Sequence, residues 1–111
     1  DAGVPLAFGS DAPVEDPNPF VALHAAVTRQ RVDGTPAGGW QPHERESMIE
    51  ALAAHSRGAA HAAGWDDVGT LAPGMLADFV AVDTDLMATP ERAHEAQALT
   101  TVVGGEVRFS R

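Results

Sequence analysis

The chain has 111 residues, a formal net charge of -9, 44% hydrophobic residues and no cysteine. That is at most one domain's worth of chain with enough apolar content for a core, and it excludes disulfides and thiolate metal sites. The acidic balance argues against a nucleic-acid partner, because no basic patch can neutralise phosphates. No apolar run approaches the length needed to cross a bilayer, so no membrane partner is expected.

The first stretch of interest is Val4-Pro5-Leu6-Ala7-Phe8-Gly9-Ser10-Asp11-Ala12-Pro13-Val14. Its first five residues are an apolar run suited to a strand buried on both faces. Gly9 ends the run, and Pro13 forbids an immediate helix. Asp11 then sits just past the carboxyl end of a buried strand, where α/β folds place chemistry. A plain turn-capping role is the alternative for the same aspartate. Such a strand needs neighbours on both edges, and nothing upstream provides one. The chain starts with Asp and shows no signal peptide, so it reads as the C-terminal piece of something longer. Absence of cysteine fits a cytoplasmic location.

Asn18 is a natural N-cap and Pro19 suits the first helical position, which predicts a helix over 19–31. Phe20, Leu23 and Val27 fall on one stripe, with the packed or surface histidine His24 at its margin. Asp33 to Gly39 is a breaker cluster, closed by Trp40 and Pro42, and reads as an irregular loop. Such a loop either lines a substrate mouth or crosses to the next element. Ser47-Met48-Ile49-Glu50 is a capping box. The helix it opens runs to about Ala63, with Gly64 as the stop. Its predicted inner stripe is Met48, Ile49, Leu52, Ser56, Ala59 and Ala63. Glu50, Arg57 and His61 face away, and His55 lies at the stripe's edge. The spacing of the two histidines is not the i, i+4 pattern of a helical metal site.

From Trp65 the period becomes two. Val68 to Leu71 is a short strand candidate, Ala72-Pro73-Gly74 a type II turn, and Ala77 to Asp83 a clear strand. Thr89-Pro90-Glu91 starts a short helix. Ala98 to Val103 and Glu106 to Phe109 flank Gly104-Gly105 as a hairpin. That register sets Val103 opposite Glu106, Val102 opposite Val107 and Thr100 opposite Phe109. It buries Ala98, Thr100, Val102, Val107 and Phe109 on one face, leaving Leu99, Thr101, Glu106 and Arg108 on the wetter one.

Four stretches, in order, resemble the C-terminal portion of the metal-dependent amidohydrolase superfamily, most of all the amidohydrolase-3 branch that includes N-substituted formamide deformylases. They are Phe8 to Val14 with the helix ending Ala26-Val27-Thr28-Arg29; Ser47 to Ser56; Val68 to Asp83; and Thr101 to Val107. The third is shared across the superfamily, and the first narrows the branch. The resemblance implies an α/β fold, mixed α+β as a fragment. Residues 1–64 would supply the last βα unit of a (β/α)8 barrel and its helices, and residues 65–111 part of a small β-sandwich. It implies that Asp11 is the metal-site aspartate, serving as catalytic acid/base beside a divalent metal, usually zinc; Ser10 either orients it or the substrate or, the reading favoured for a serine in this position, only shapes the turn. The substrate would be a small molecule with an amide or imine C–N bond.

A His-x-His motif and the superfamily's other ligands do not occur in these 111 residues. One carboxylate is short of the three protein ligands a catalytic zinc normally has, so the chain by itself is expected to hold no metal and to be inactive. Without the other strands its exposed edges should make it self-associate. Two further readings stand beside this one: a non-catalytic interaction module built on the same fold, and a deaminase of the same superfamily.

Overall fold

A computed structural model describes residues 3–111 of the chain. Helix α1 spans Pro19–Thr28. Asn18, with extended backbone, accepts the Phe20 N–H on its side-chain oxygen at 3.0 Å, and Pro19 occupies the first turn. The helix stops at Thr28, three residues before the predicted end, because Arg29 turns left-handed (φ 57°) and sends its N–H back to the Ala25 carbonyl. Thr28 helps to close the end: its hydroxyl donates to the His24 carbonyl and accepts from the Gln30 N–H.

The irregular segment runs from Arg29 to Glu46, wider than the loop expected over 33–39, and is tied down throughout. Trp40 N–H bonds to the Arg29 carbonyl, the Arg29 Nε bonds to the Trp40 carbonyl, and the Arg45 guanidinium reaches the Thr28 and Gly38 carbonyls. Gly39 is required here: at φ 83° a Cβ would lie 2.5 Å from the Thr28 carbonyl oxygen. A 3-10 turn over Pro42–Glu44 precedes the next helix.

Helix α2 (Met48–Ala53) opens with the anticipated capping box. It passes into a π-helical turn (Ala54–Gly58) and then α3 (Ala59–Ala63), which Gly64 ends in the left-handed conformation (φ 71°). The inner face differs from the predicted stripe. Met48, Ala51, Ala54 and Ala60 are buried, whereas Ile49 is 62% exposed and Ser56 and Ala63 face solvent. The cause is twofold. A helix lying close to other backbone takes alanine inward in place of isoleucine, and the wide π turn shifts the phase of every residue after it.

Three strands form one antiparallel meander in the order β1 (Phe79–Val82), β2 (Ala98–Val103), β3 (Glu106–Ser110). Strand β1 is shorter at both ends than the predicted 77–83. The 3-10 helix Pro90–Glu95 lies in the β1–β2 connection, where the short helix was expected. Gly104 and Gly105, both with positive φ, turn the β2–β3 hairpin. Val103 pairs with Glu106 and Val102 with Val107 as predicted, but a bulge between Thr101 and Val102 then sets Thr101, not Thr100, opposite Phe109. The predicted buried face is corrected accordingly. Val102 is buried and Ala98 and Thr100 half-buried, while Val107 (63%) and Phe109 (47%) are exposed. Strand β3 is an outer strand, and no layer of the described residues covers it.

Two predicted strands do not form among the described residues. Val4 to Phe8 pairs with no strand; its one backbone bond into the helices runs from Phe8 N–H to the Ala54 carbonyl at 3.0 Å. Val4 is 69% and Leu6 45% exposed, so the run is not buried on both faces. A strand is made by its neighbours, and none is offered here. Val68 to Leu71 bends in place of pairing, because Gly69 takes φ 86° to pass against the Arg57 backbone. The Ala72-Pro73-Gly74-Met75 turn forms as read, with Met75 N–H on the Ala72 carbonyl and Gly74 at φ 90°.

The result is a mixed α/β fold whose core joins Leu23 of α1, Met48 and Ala51 of α2, and Leu86, Ala93 and Ala96 of the β1–β2 connection. Phe20 and Val27, the other two residues of the predicted α1 stripe, pack at its margin with Phe8. Burying each of the larger side chains contributes about 1.5–3 kcal/mol, so few residues hold the helices to the connection.

Candidate functional site

Asp11 stands in the loop between Phe8 and α1, at φ 50°, a left-handed conformation that aspartate tolerates better than most residues. Its main-chain carbonyl accepts the Val14 N–H at 2.9 Å and so closes a turn. Its side chain is exposed, and no partner for the carboxylate is found among the described residues. The backbone of Asp11 therefore does the turn-forming work that a capping side chain would otherwise do, and the carboxylate is left outward. Ser10 beside it is half-buried.

Both ends of this loop are anchored. Upstream, Phe8 bonds through its N–H to Ala54 and packs edge-on to the His55 ring, centroids 5.5 Å apart. Leu6 passes so close to the helix that only glycine fits at position 58. Downstream, Asp16 accepts the Asn18 N–H at 2.8 Å, and Asn18 caps α1. The π turn is thus the seat on which the approach to Asp11 rests. Sequence periodicity had no means of showing it, because helix templates assume a uniform 3.6-residue turn.

A cleft of about 1070 Å³ runs along α1. Its lining includes Ser10, Asp16, Ala22, Ala25, Arg29 and Trp40. The loop over 33–42 contributes Thr35, Pro36 and Trp40 to its wall, and Asp11 lies outside the lining next to Ser10.

His55 also lines the cleft. Its Nε2 is shut off from solvent without a hydrogen-bond partner among the described residues, and burial pushes its pKa below the ordinary imidazole value. His61 is exposed, and His24 is buried between α1 and the Pro90–Glu95 turn, where its ring meets His94. The two histidines are 70 residues apart in sequence, and no local signal could have paired them.

Among the described residues no three His, Cys, Asp or Glu side chains converge to hold a metal ion. Asp11 by itself offers one carboxylate, which does not make a catalytic zinc site. Any further ligands must come from outside these residues.

Comparison with known proteins places these features in a family context. The profile of the amidohydrolase family matches residues 1–109. The chain is similar to the protein LONG AFTER FAR-RED 3 of Arabidopsis thaliana, with 41% identity over 102 residues, covering 91% of this chain and 17% of that protein. It is also similar to the putative amidohydrolase YtcJ of Bacillus subtilis (strain 168), with 27% identity over 111 residues, covering 98% of this chain and 21% of that one. The chain thus spans about a fifth of the length of the curated relatives it matches.

Proposed function

Because the chain belongs to the amidohydrolase family, we propose that it forms the C-terminal part of a hydrolase that cleaves non-peptide C–N bonds of small molecules, with Asp11 as the acid/base of the site. N-substituted formamides are the narrower form of the same substrate class. In this reading residues 1–64 complete a (β/α)8 barrel and residues 65–111 belong to a small β-sandwich.

The observation that carries the proposal is the state of Asp11. Its loop is fixed from both sides, by Phe8 on Ala54 and by Asp16 on Asn18, yet its carboxylate has no partner among the described residues. A carboxylate that only shaped the turn would be bonded within it. One that must exchange protons has to be positioned through its backbone and left open at its oxygens.

The chemistry asked of it is balanced over two steps. The ionised carboxylate takes a proton from water as the water oxygen bonds to the carbonyl carbon. It returns that proton to the departing nitrogen as the C–N bond breaks, which restores the carboxylate. A divalent cation, zinc in the usual case, would supply an activated water once the rest of the protein contributes its ligands. This chain's residues do not hold one unaided, so the isolated chain is proposed to be inactive.

The test is Asp11→Asn in the full-length protein. The amide is isosteric and cannot shuttle a proton, and loss of such a group costs roughly 10²- to 10⁴-fold in turnover. Retained wild-type kcat would remove Asp11 from the chemistry.

A further inference from the structure

The cleft beside α1 adjoins the Asp11 loop through Ser10, which makes it the first place to look for a substrate. A small-molecule pocket needs a few convergent polar groups to orient what it holds. Here most polar groups of the lining are committed to the protein's own chain. Arg29 donates its Nε to the Trp40 carbonyl and lies over the Trp40 ring, 5.0 Å from its centroid. Gln30 donates to the Gly34 and Pro36 carbonyls, and the Thr35 hydroxyl donates to the Asp33 carboxylate. Both ring nitrogens of His24 lie within hydrogen-bond distance of main-chain carbonyls. His55 keeps its Nε2 shut off from solvent, out of reach of anything in the cleft. What the cleft offers is apolar surface: Val32 is 51% and Trp40 59% exposed, and Ala25 is exposed beside them.

We propose that this cleft is a packing surface and not a substrate pocket, covered in the full-length protein by an apolar segment of the chain that precedes residue 1, laid along Ala25, Val32 and Trp40. The proposal rests on the reading of these residues as the C-terminal part of a longer hydrolase. The route of the chain singles out the occupant. Ala7, Phe8, Gly9 and Ser10 form one wall of the cleft. Four extended residues reach about 14 Å, so the chain enters at Gly3 within that distance of the wall. Val4 and Leu6, on the same run, are exposed as well, and a body of chain arriving there covers run and cleft together. There is length to supply it: the stretch shared with the curated relatives is 17% and 21% of theirs. The exposed residues of the sheet, which favour contact between copies, contribute nothing to the cleft.

The test uses the full-length protein carrying Ala25→Cys or Val32→Cys; residues 1–111 hold no cysteine of their own. Alkylation by iodoacetamide is read by mass spectrometry on the peptide with the new thiol. It should be slower in the native protein than in urea by roughly a hundredfold, since a packed thiol reacts only through local opening. An N-alkylformamide should not change the rate. Should both variants fail to fold, hydroxyl-radical oxidation of Trp40 in the wild-type protein reads the same cover and should fall to the level of a buried side chain. Rapid native alkylation or oxidation overturns the proposal. So does protection that comes only with the formamide, which makes the cleft a ligand pocket, or only with rising protein concentration, which makes it a contact between copies. Turnover lost in Asp11→Asn with an open cleft refutes this proposal alone. Turnover kept with a covered cleft supports it and refutes only the acid/base role of Asp11.

Discussion

Gly58→Ala is the most direct test of how the Asp11 loop is held. Gly58 has ordinary right-handed helical backbone (φ -66°, ψ -46°), so alanine suits the position locally and would gain about 1 kcal/mol of helix propensity. The obstacle is tertiary. A Cβ there would overlap the Leu6 carbonyl oxygen and come within 3.2 Å of its carbon, both main-chain atoms that cannot swing aside. The 3–10 segment must therefore lift. Lifting gives up the Phe8 N–H to Ala54 bond, about 1 kcal/mol, the edge contact of Phe8 with His55, about 1 kcal/mol, and part of the burial of Phe8, about 1 kcal/mol. Against the helix gain, the net loss is about 2 kcal/mol, which corresponds to about a thirtyfold rise in local opening.

Exchange of the Phe8 amide reads this opening directly. It should accelerate by that factor while protection in the β2–β3 hairpin stays unchanged. In the full-length protein turnover should fall as well, although Gly58 touches no substrate, because a small displacement of a reacting group is costly. The reasoning fails if Phe8 keeps its protection and the variant becomes more stable, since the helix would then have gained its 1 kcal/mol with nothing lost.

The sheet supplies a pH dependence whose sign follows from Asp83. The Gln97 N–H, then the Thr84 hydroxyl, hold its carboxyl below the ordinary carboxylate value. A depressed folded-state pKa gives stability that is present above the unfolded value and is lost as pH falls through the folded one. Exchange at Gln97 should therefore quicken as the solution is taken below about pH 4, and Asp83→Asn should flatten that dependence. Exposed Phe79, Val80, Val107 and Phe109, with an open edge on β3, predict that the isolated chain self-associates. Sedimentation should show oligomers that grow with concentration, and a compact monomer at high concentration would refute this.

What could be read from sequence was whatever depends on a few adjacent residues. Asn18 before Pro19, Ser47 with Glu50, the Pro73-Gly74 turn and the Gly104-Gly105 hairpin all formed where read, because caps and tight turns are closed by their own side chains and backbone. What could not be read depends on partners. The closeness of neighbouring backbone turned alanine inward on α2, and the π turn shifted the phase of the residues after it. The register of β3 slipped at a bulge that no alternation pattern reports. The strand expected at Val4 to Phe8 had the right composition and nothing to pair with. Asp11 could be singled out from its place after an apolar run and a glycine, but the seat beneath it, Ala54, His55 and Gly58, lies over forty residues away in sequence.

The exposed run at 4–8 and the unpartnered carboxylate at 11 bear on each other. Val4 and Leu6 keep much of their apolar surface in water, and the segment makes one backbone bond to the helices where a central strand would make a ladder on each side. In the proposed barrel both deficits would be repaired by the same event, the arrival of strands beside Val4 to Phe8. In a barrel those strands end on the same side as this one, and the loops that follow them carry the other groups of the site. Completing the fold and completing the ligand set would then be a single step. A carboxylate already fixed by its backbone needs no rearrangement when that happens, which is the advantage of anchoring the loop through Phe8, Asp16 and Gly58 instead of through the oxygens of Asp11.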